Sequence, residues 1–229
     1  MKLRADETDI KKYVEEGWWE ASKGLADFVR KNAQRNPSGI AYQTQDIQIS
    51  WNEYFHSAVG LAQEIRREAG RGGRVLVWLP DSPDVHVCYL ACEIAGVVAV
   101  GAGWKAGLQE LKYLSEVTGA SLLLSKLRNP FGKLGDISEH LNLNSLLVED
   151  ICSNDIVDAG GSNLEESIGP SDLWFLNSTS GTTGLPKCVM QTQNRWFYFH
   201  RKAVEFGHLT EKDIWMSVVP APFGFGLWT

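Results

Sequence analysis

Hydrophobic positions along this chain change their period near residue 70. From Gly24 to Asn32, Leu25, Phe28 and Val29 recur at helical spacing, and Pro37 and Gly39 mark the end of that segment. Ile40 to Tyr42 and Ile47 to Ile49 are short apolar runs around a polar turn and read as two strands. Ser50 and Glu53 then form an S-x-x-E capping box. Behind it Trp51, Tyr54, Phe55, Ala58, Val59, Ala62 and Ile65 repeat at helical intervals, which predicts an amphipathic helix ended by Gly70.

Past that glycine, apolar runs alternate with helical segments. Val75 to Leu79 is uninterrupted, as expected of a strand buried on both faces of a parallel sheet. Asp84 to Ala95 reads as a helix, Val97 to Val100 as a strand, Gln109 to Val117 as a helix, and Leu122 to Leu124 and Leu146 to Val148 as strands. This β-α-β-α rhythm predicts an α/β fold with a doubly wound parallel sheet flanked by helices. Between Glu149 and Ser171 the chain turns to Asp, Asn, Ser, Glu and Gly160-Gly161, so residues 151–171 are expected to be a linker or surface connection. The resulting division is an N-terminal arm over 1–22, a first α/β subdomain over 23–150, the linker, and the start of a second α/β subdomain over 172–229. Within that last part Leu173 to Leu176 and Cys188 to Gln191 read as strands, and Asn194 as the N-cap of a helix running from Arg195 towards Phe206.

Composition narrows the class. The 229 residues are 44% hydrophobic and 22% charged, which fits a globular protein, and the net charge of −6 argues against a nucleic-acid partner. Cys88, Cys92, Cys152 and Cys188 form no CxxC pair, so neither a disulfide framework nor a metal site is expected. The charged N-terminus has no apolar core of a signal peptide, and Cys88 to Gly103, the longest apolar stretch, falls short of a membrane span, so a cytoplasmic location is expected.

The candidate chemistry sits in Ser178-Thr179-Ser180-Gly181-Thr182-Thr183-Gly184-Leu185-Pro186-Lys187. Glycines let the backbone approach a ligand closely and aim successive N–H groups at anionic oxygens. Hydroxyls add rotatable donors, and Lys187 adds a positive charge whose stem follows the restricted backbone of Pro186. The segment is not the P-loop G-x-x-x-x-G-K-[ST]: Leu185 and Pro186 separate Gly184 from the lysine, and Cys188 stands where that motif has a hydroxyl. It is expected to hang between two strands.

At Thr179 to Lys187 the sequence closely resembles the phosphate-binding signature of the AMP-forming synthetases, the family of acyl-CoA synthetases, adenylation domains and luciferases. Leu79-Pro80-Asp81-Ser82-Pro83 with Ala95-Gly96-Val97-Val98, and Ala106 to Leu111 with Thr118-Gly119-Ala120, resemble the family's early strand-helix-strand units. Pro220 to Leu227 resembles its later segment, where an aromatic residue borders the acyl or aryl substrate. The likeness runs from about Leu25 to the last residue. Two positions depart from it: Cys188 where the family most often has glycine, and Gln193 where histidine is common.

The resemblance implies the N-terminal part of an ATP-dependent carboxylate–CoA ligase that forms an acyl-adenylate and pyrophosphate, then a thioester. Thr179, Ser180, Gly181, Thr182, Thr183, Gly184 and Lys187 would bind the ATP phosphates with Mg2+. Phe223, Gly224, Phe225 and Gly226 would line the substrate pocket, and coenzyme A would be co-substrate of the complete enzyme. The family's motifs for adenine and ribose, its magnesium-binding glutamate and its adenylation lysine have no counterpart in these residues. No catalytic residue or protein metal ligand is therefore assigned, and the expectation is of an incomplete, weakly active or inactive enzyme whose partners are a small carboxylic acid and a complementary C-terminal polypeptide. Two alternatives stay open: a non-catalytic nucleotide-binding or interaction fragment, and part of a carrier-loading adenylation domain.

Overall fold

A computed structural model describes residues 5–149, 167–179 and 186–221. The charged arm contains a helix that its composition does not announce, α1 (Glu7–Glu15), started by a capping box between Asp6 and Asp9. Then come α2 (Leu25–Arg35), the antiparallel pair β1 (Ile40–Gln43) and β2 (Gln48–Ser50), and α3 (Trp51–Ala69). The Ser50 box forms as its spacing predicts: the Glu53 N–H donates to Ser50 Oγ at 3.2 Å, and the Ser50 N–H donates to the Glu53 carboxylate at 2.6 Å. Gly70 ends α3 at φ 69°, a conformation that favours glycine.

The alternating half follows as β3 (Arg74–Trp78), α4 (Pro83–Ala95), β4 (Val98–Ala102), α5 (Leu108–Thr118) and β5 (Leu122–Ser125). A small hairpin, β6 (Arg128–Asn129) and β7 (Gly132–Lys133), and the helix α6 (Leu134–Leu141) precede β8 (Asn144–Leu147). The last elements described are β9 (Phe175–Thr179), β10 (Lys187–Gln191) and α7 (Gln193–Gly207).

Six strands form one sheet in the order β10-β9-β4-β3-β5-β8, all parallel except β10, which runs antiparallel to β9 at the edge. The expected strands over 173–176 and 188–191 lie in this same sheet. β4 offers an open edge, and Phe175, Leu176 and Asn177 pair with Ala99, Val100 and Gly101 along it.

Side-chain alternation along the strands divides the core in two. Val75 and Val77 join Ala99, Leu122, Leu124 and Phe175 on the face covered by α2, α3 and α4. Leu76, Trp78, Val100, Leu123 and Leu176 face α5 and α6 on the other side. Burial on both faces is why the strands read as continuous apolar runs. All of α4 except His86 is buried, which explains why this helix lacks a polar stripe.

Candidate functional site

The phosphate-loop segment leaves the sheet at the end of β9 and returns at the start of β10. Thr179 and Lys187 are Cα partners in the antiparallel register, followed by Ser178 with Cys188 and Asn177 with Val189. The first strand extends through Thr179 instead of stopping at Leu176, and the second begins at Lys187. The loop therefore hangs between two strands, as its sequence context predicts. Gln191 Nε2 donates to Asn177 Oδ1 at 3.0 Å, bracing the pair below the loop. Lys187 lies exposed at the mouth of the hairpin, and Pro186 just before it is buried. Ser180, Gly181, Thr182, Thr183 and Gly184 lie outside the described residues, as do Phe223, Gly224, Phe225 and Gly226.

Because β9 runs parallel to β3, β4 and β5, its carboxyl end opens on the same sheet edge as theirs. That edge is where open α/β sheets bind ligands. After β3, Asp81 Oδ1 accepts the N–H of Ala221 at 3.0 Å, so the residue just ahead of the expected substrate segment is tied to the same edge. Between β3 and β5, Ser125 Oγ donates to the Trp78 carbonyl at 2.8 Å. Beside them Lys126 Nζ pairs with Asp84 Oδ2 at 2.7 Å, a largely buried ion pair on the first turn of α4, where the helix dipole also favours a carboxylate. Asp81 is legible in the sequence only as part of a resembling motif, and nothing in the spacing pairs Asp84 with Lys126.

Helix α7 corrects one expectation. Its N-cap is Thr192, whose side chain accepts from the Arg195 N–H at 3.4 Å, and the helix starts at Gln193. Asn194 serves elsewhere, because its side chain holds both the N–H and the carbonyl of Glu20, at 2.7 and 2.9 Å, and donates to Ser171 Oγ at 2.9 Å. Gln193 is buried too, and its Oε1 accepts the Leu25 N–H at 2.8 Å. The departure from histidine thus falls on a residue that clasps the start of α2. Next to it Glu93, fully buried, accepts the Ala26 N–H on Oε1 at 3.0 Å, and burial pushes its carboxyl up to about 8. Cys188, beside the motif lysine, has its thiol raised by burial, so it is not an activated nucleophile.

The aromatic residues of the arm and α7 meet as neighbours. Trp18 stacks on Tyr13 and contacts Tyr198, while Arg201 donates to the carbonyls of Gly17 and Trp18, so the tryptophan pair anchors the arm onto α7. Trp196 packs on the core, whereas Phe199 is exposed. No helix among the described residues is long and apolar enough to cross a membrane.

A doubly wound sheet with a glycine- and hydroxyl-rich loop on its carboxyl edge defines a class of α/β protein built around an edge-bound ligand. Within it, the chain belongs to the AMP-binding enzyme family, whose model matches residues 29–229. It is 26% identical to enterobactin synthase component E of Escherichia coli, over 98% of this chain and 43% of that protein. It is 28% identical to the 2-succinylbenzoate–CoA ligase of Bacillus velezensis, over 85% of this chain and 39% of that one. The chain thus spans about two-fifths of the length of these relatives. Among solved structures, the O-succinylbenzoate coenzyme A synthetase of Bacillus subtilis in complex with AMP superposes with a TM-score of 0.74 at 23% identity, over 88% of this chain and 51% of that one. That synthetase is also known in complex with ATP and magnesium ion.

Proposed function

We propose that this chain carries the ATP-phosphate site of an AMP-forming carboxylate–CoA ligase. A carboxylate oxygen attacks the α-phosphorus of ATP, the bond to the bridging oxygen breaks, and pyrophosphate leaves with that electron pair. The thiol sulfur of coenzyme A then attacks the acyl carbon, the bond from that carbon to the phosphate oxygen breaks, AMP leaves with that electron pair, and the thiol proton is released. The observation that supports this reading most is the strand pairing of Thr179 with Lys187, which closes the glycine- and hydroxyl-rich segment into a loop on the ligand-binding edge of the sheet.

Transfers at phosphorus depend on positioning and charge neutralisation more than on covalent help from protein. In this reading Ser180, Thr182 and Thr183 donate to the β- and γ-oxygens, the backbone of Thr179, Gly181 and Gly184 lets the phosphates come close, and Lys187 offsets their charge. Mg2+ fits as an ion carried in on the nucleotide, because magnesium characteristically takes substrate phosphate oxygens among its ligands. It would supply further neutralisation of the triphosphate. The acid enters past the segment after Ala221, with Phe223, Gly224, Phe225 and Gly226 as its wall.

Two measurements on the 229-residue chain test the reading. Calorimetric titration should show saturable binding of ATP in the presence of magnesium, and ATP–pyrophosphate exchange with a panel of aryl and alkyl acids reports the first half-reaction. Absence of any magnesium-dependent ATP binding would overturn it.

A further inference from the structure

The end of the N-terminal arm and the starts of α2 and α7 converge on one buried carboxyl. Glu93, near the end of α4, accepts the Ala26 N–H on Oε1, while its Oε2 is buried and makes no hydrogen bond among the described residues. Beside it Gln193 Oε1 accepts the Leu25 N–H at 2.8 Å, and Asn194 clasps both backbone groups of Glu20. Gly24 closes over the carboxyl so tightly that a Cβ there would clash with Oε1. The charges on the elements packed around it are committed elsewhere. Asp27 on α2 is paired with Arg30, Glu20 of the arm with Arg201 of α7, and Arg66 of α3 donates to the carbonyls of Ile94 and Ala95. Asp172, behind Pro170, is exposed, and Gln193 and Asn194 are neutral. Burial, reinforced by Asp27, raises the Glu93 carboxyl to about 8, and the Ala26 N–H and the Gln193 amide pull it down without offsetting that.

We propose that Glu93 is a proton-operated latch: its neutral carboxyl holds the end of the arm and the first turn of α2 against α4 and α7, and loss of the proton to water frees them while the sheet stays folded. A carboxylate formed in this place has neither a counter-ion nor room for hydration under Gly24, so it becomes favourable only when its cover lifts. The part that lifts follows from burial. Helix α4 is locked into the core along all of its length except His86, whereas α1 has no buried residue and residues 16–23 are half-buried or exposed. With the cover lifted, the carboxylate meets water and titrates near its ordinary 4.5, whereas in the latched form it keeps its proton up to about 8. Between those values the latched form holds a proton that the open form releases. The balance therefore shifts towards the open form by about tenfold for each pH unit, and the shift levels off above the latched value.

The test is amide hydrogen exchange of the full chain, followed by NMR from about pH 6 to about pH 9 and corrected for the intrinsic pH dependence of exchange. Protection of the Glu20, Leu25 and Ala26 amides, each bonded to a latch side chain, should be at least tenfold lower than that of Val75, Leu76 and Val77 in β3. It should fall by about tenfold per pH unit up to about pH 8 and stay level above. Glu93→Gln, which cannot ionise, should make protection of those three amides independent of pH. Carbon-13 NMR of the Glu93 carboxyl in the parent chain gives a second measurement that needs no variant: its titration should lie well above the ordinary carboxylate range and coincide with the levelling of protection. The proposal is overturned by protection equal to that of β3, which would mean that the latch opens only with the whole fold. Protection that does not change with pH, a folded Glu93→Gln that keeps the pH dependence, or a Glu93 carboxyl that titrates in the ordinary range would overturn it equally.

Discussion

Thr179 and Lys187 face each other as the last pair of the β9–β10 hairpin, so the segment between them begins and ends at a single point on the sheet edge. That pairing presents the lysine at the loop mouth whatever path the intervening residues follow. Replacing Lys187 by methionine should therefore weaken magnesium–ATP binding at least tenfold by calorimetry. The residue is exposed, so the stability should stay within the small range of ordinary surface substitutions, about 0.5 kcal/mol.

Gly24 lies against the Glu93 carboxylate. A Cβ there would come 2.4 Å from Oε1 and 2.9 Å from Gln193 Oε1, and both of those side chains are buried. Gly24→Ala should cost about 1–3 kcal/mol in urea denaturation, because overpacking a closed site forces its neighbours to move. Gly60→Ala, with open space at the same position of its own Cβ, is the control and should not destabilise the chain.

Glu93 makes stability depend on pH in an unusual direction for a carboxylate. Burial raises its folded value from 4.5 to about 8, against the opposing pull of the Ala26 N–H. Between those values the folded chain keeps a proton that the unfolded chain releases, so this group's contribution falls as pH rises through the window and levels off above it. Denaturation midpoints measured from about pH 5 to about pH 9 should decline more steeply for the parent than for Glu93→Gln, which keeps an acceptor for Ala26 and cannot ionise.

The Asp84–Lys126 pair predicts strong non-additivity. Lys126→Met takes the ammonium away from a carboxylate whose side chain is only 5% exposed and should cost about 3–5 kcal/mol. Adding Asp84→Asn should recover a substantial part of that loss. A double-mutant cycle that finds the two losses simply additive would show that the pair does not act as one unit.

Asp81 holds the Ala221 amide by one hydrogen bond across 140 residues. Asp81→Ala should speed hydrogen exchange at Ala221 and lower stability by about 1 kcal/mol, without moving the exchange rates of the β3 amides.

Local pattern carries much of this architecture. The Ser50–Glu53 box, the stop at Gly70 and the apolar runs of β3, β4 and β5 are all legible, because each follows from contacts within a few residues or from burial on both faces. Element α1 is hidden in a charge-rich arm, and α6 with the β6–β7 hairpin gives too short a periodic signal. Asn194 reads as a cap because Thr192, Gln193 and Asn194 offer adjacent polar side chains, and only their distant partners separate them: Glu20 and Ser171 claim Asn194, Leu25 claims Gln193, and Thr192 is left to cap.

The α/β class, the order of most elements and the glycine- and hydroxyl-rich segment ending at Lys187 are all written in the chain, since dihedral preference, hydrophobic period and residue chemistry are local properties. Folding in three dimensions was needed to bring β9 and β10 into the same sheet as β3, to carry Asp81 to Ala221, and to close Glu93 and Gln193 around the start of α2. Those outcomes depend on which sheet edge stays open and which buried polar atoms find one another after the chain has closed, and such long-range pairings leave no period in the sequence.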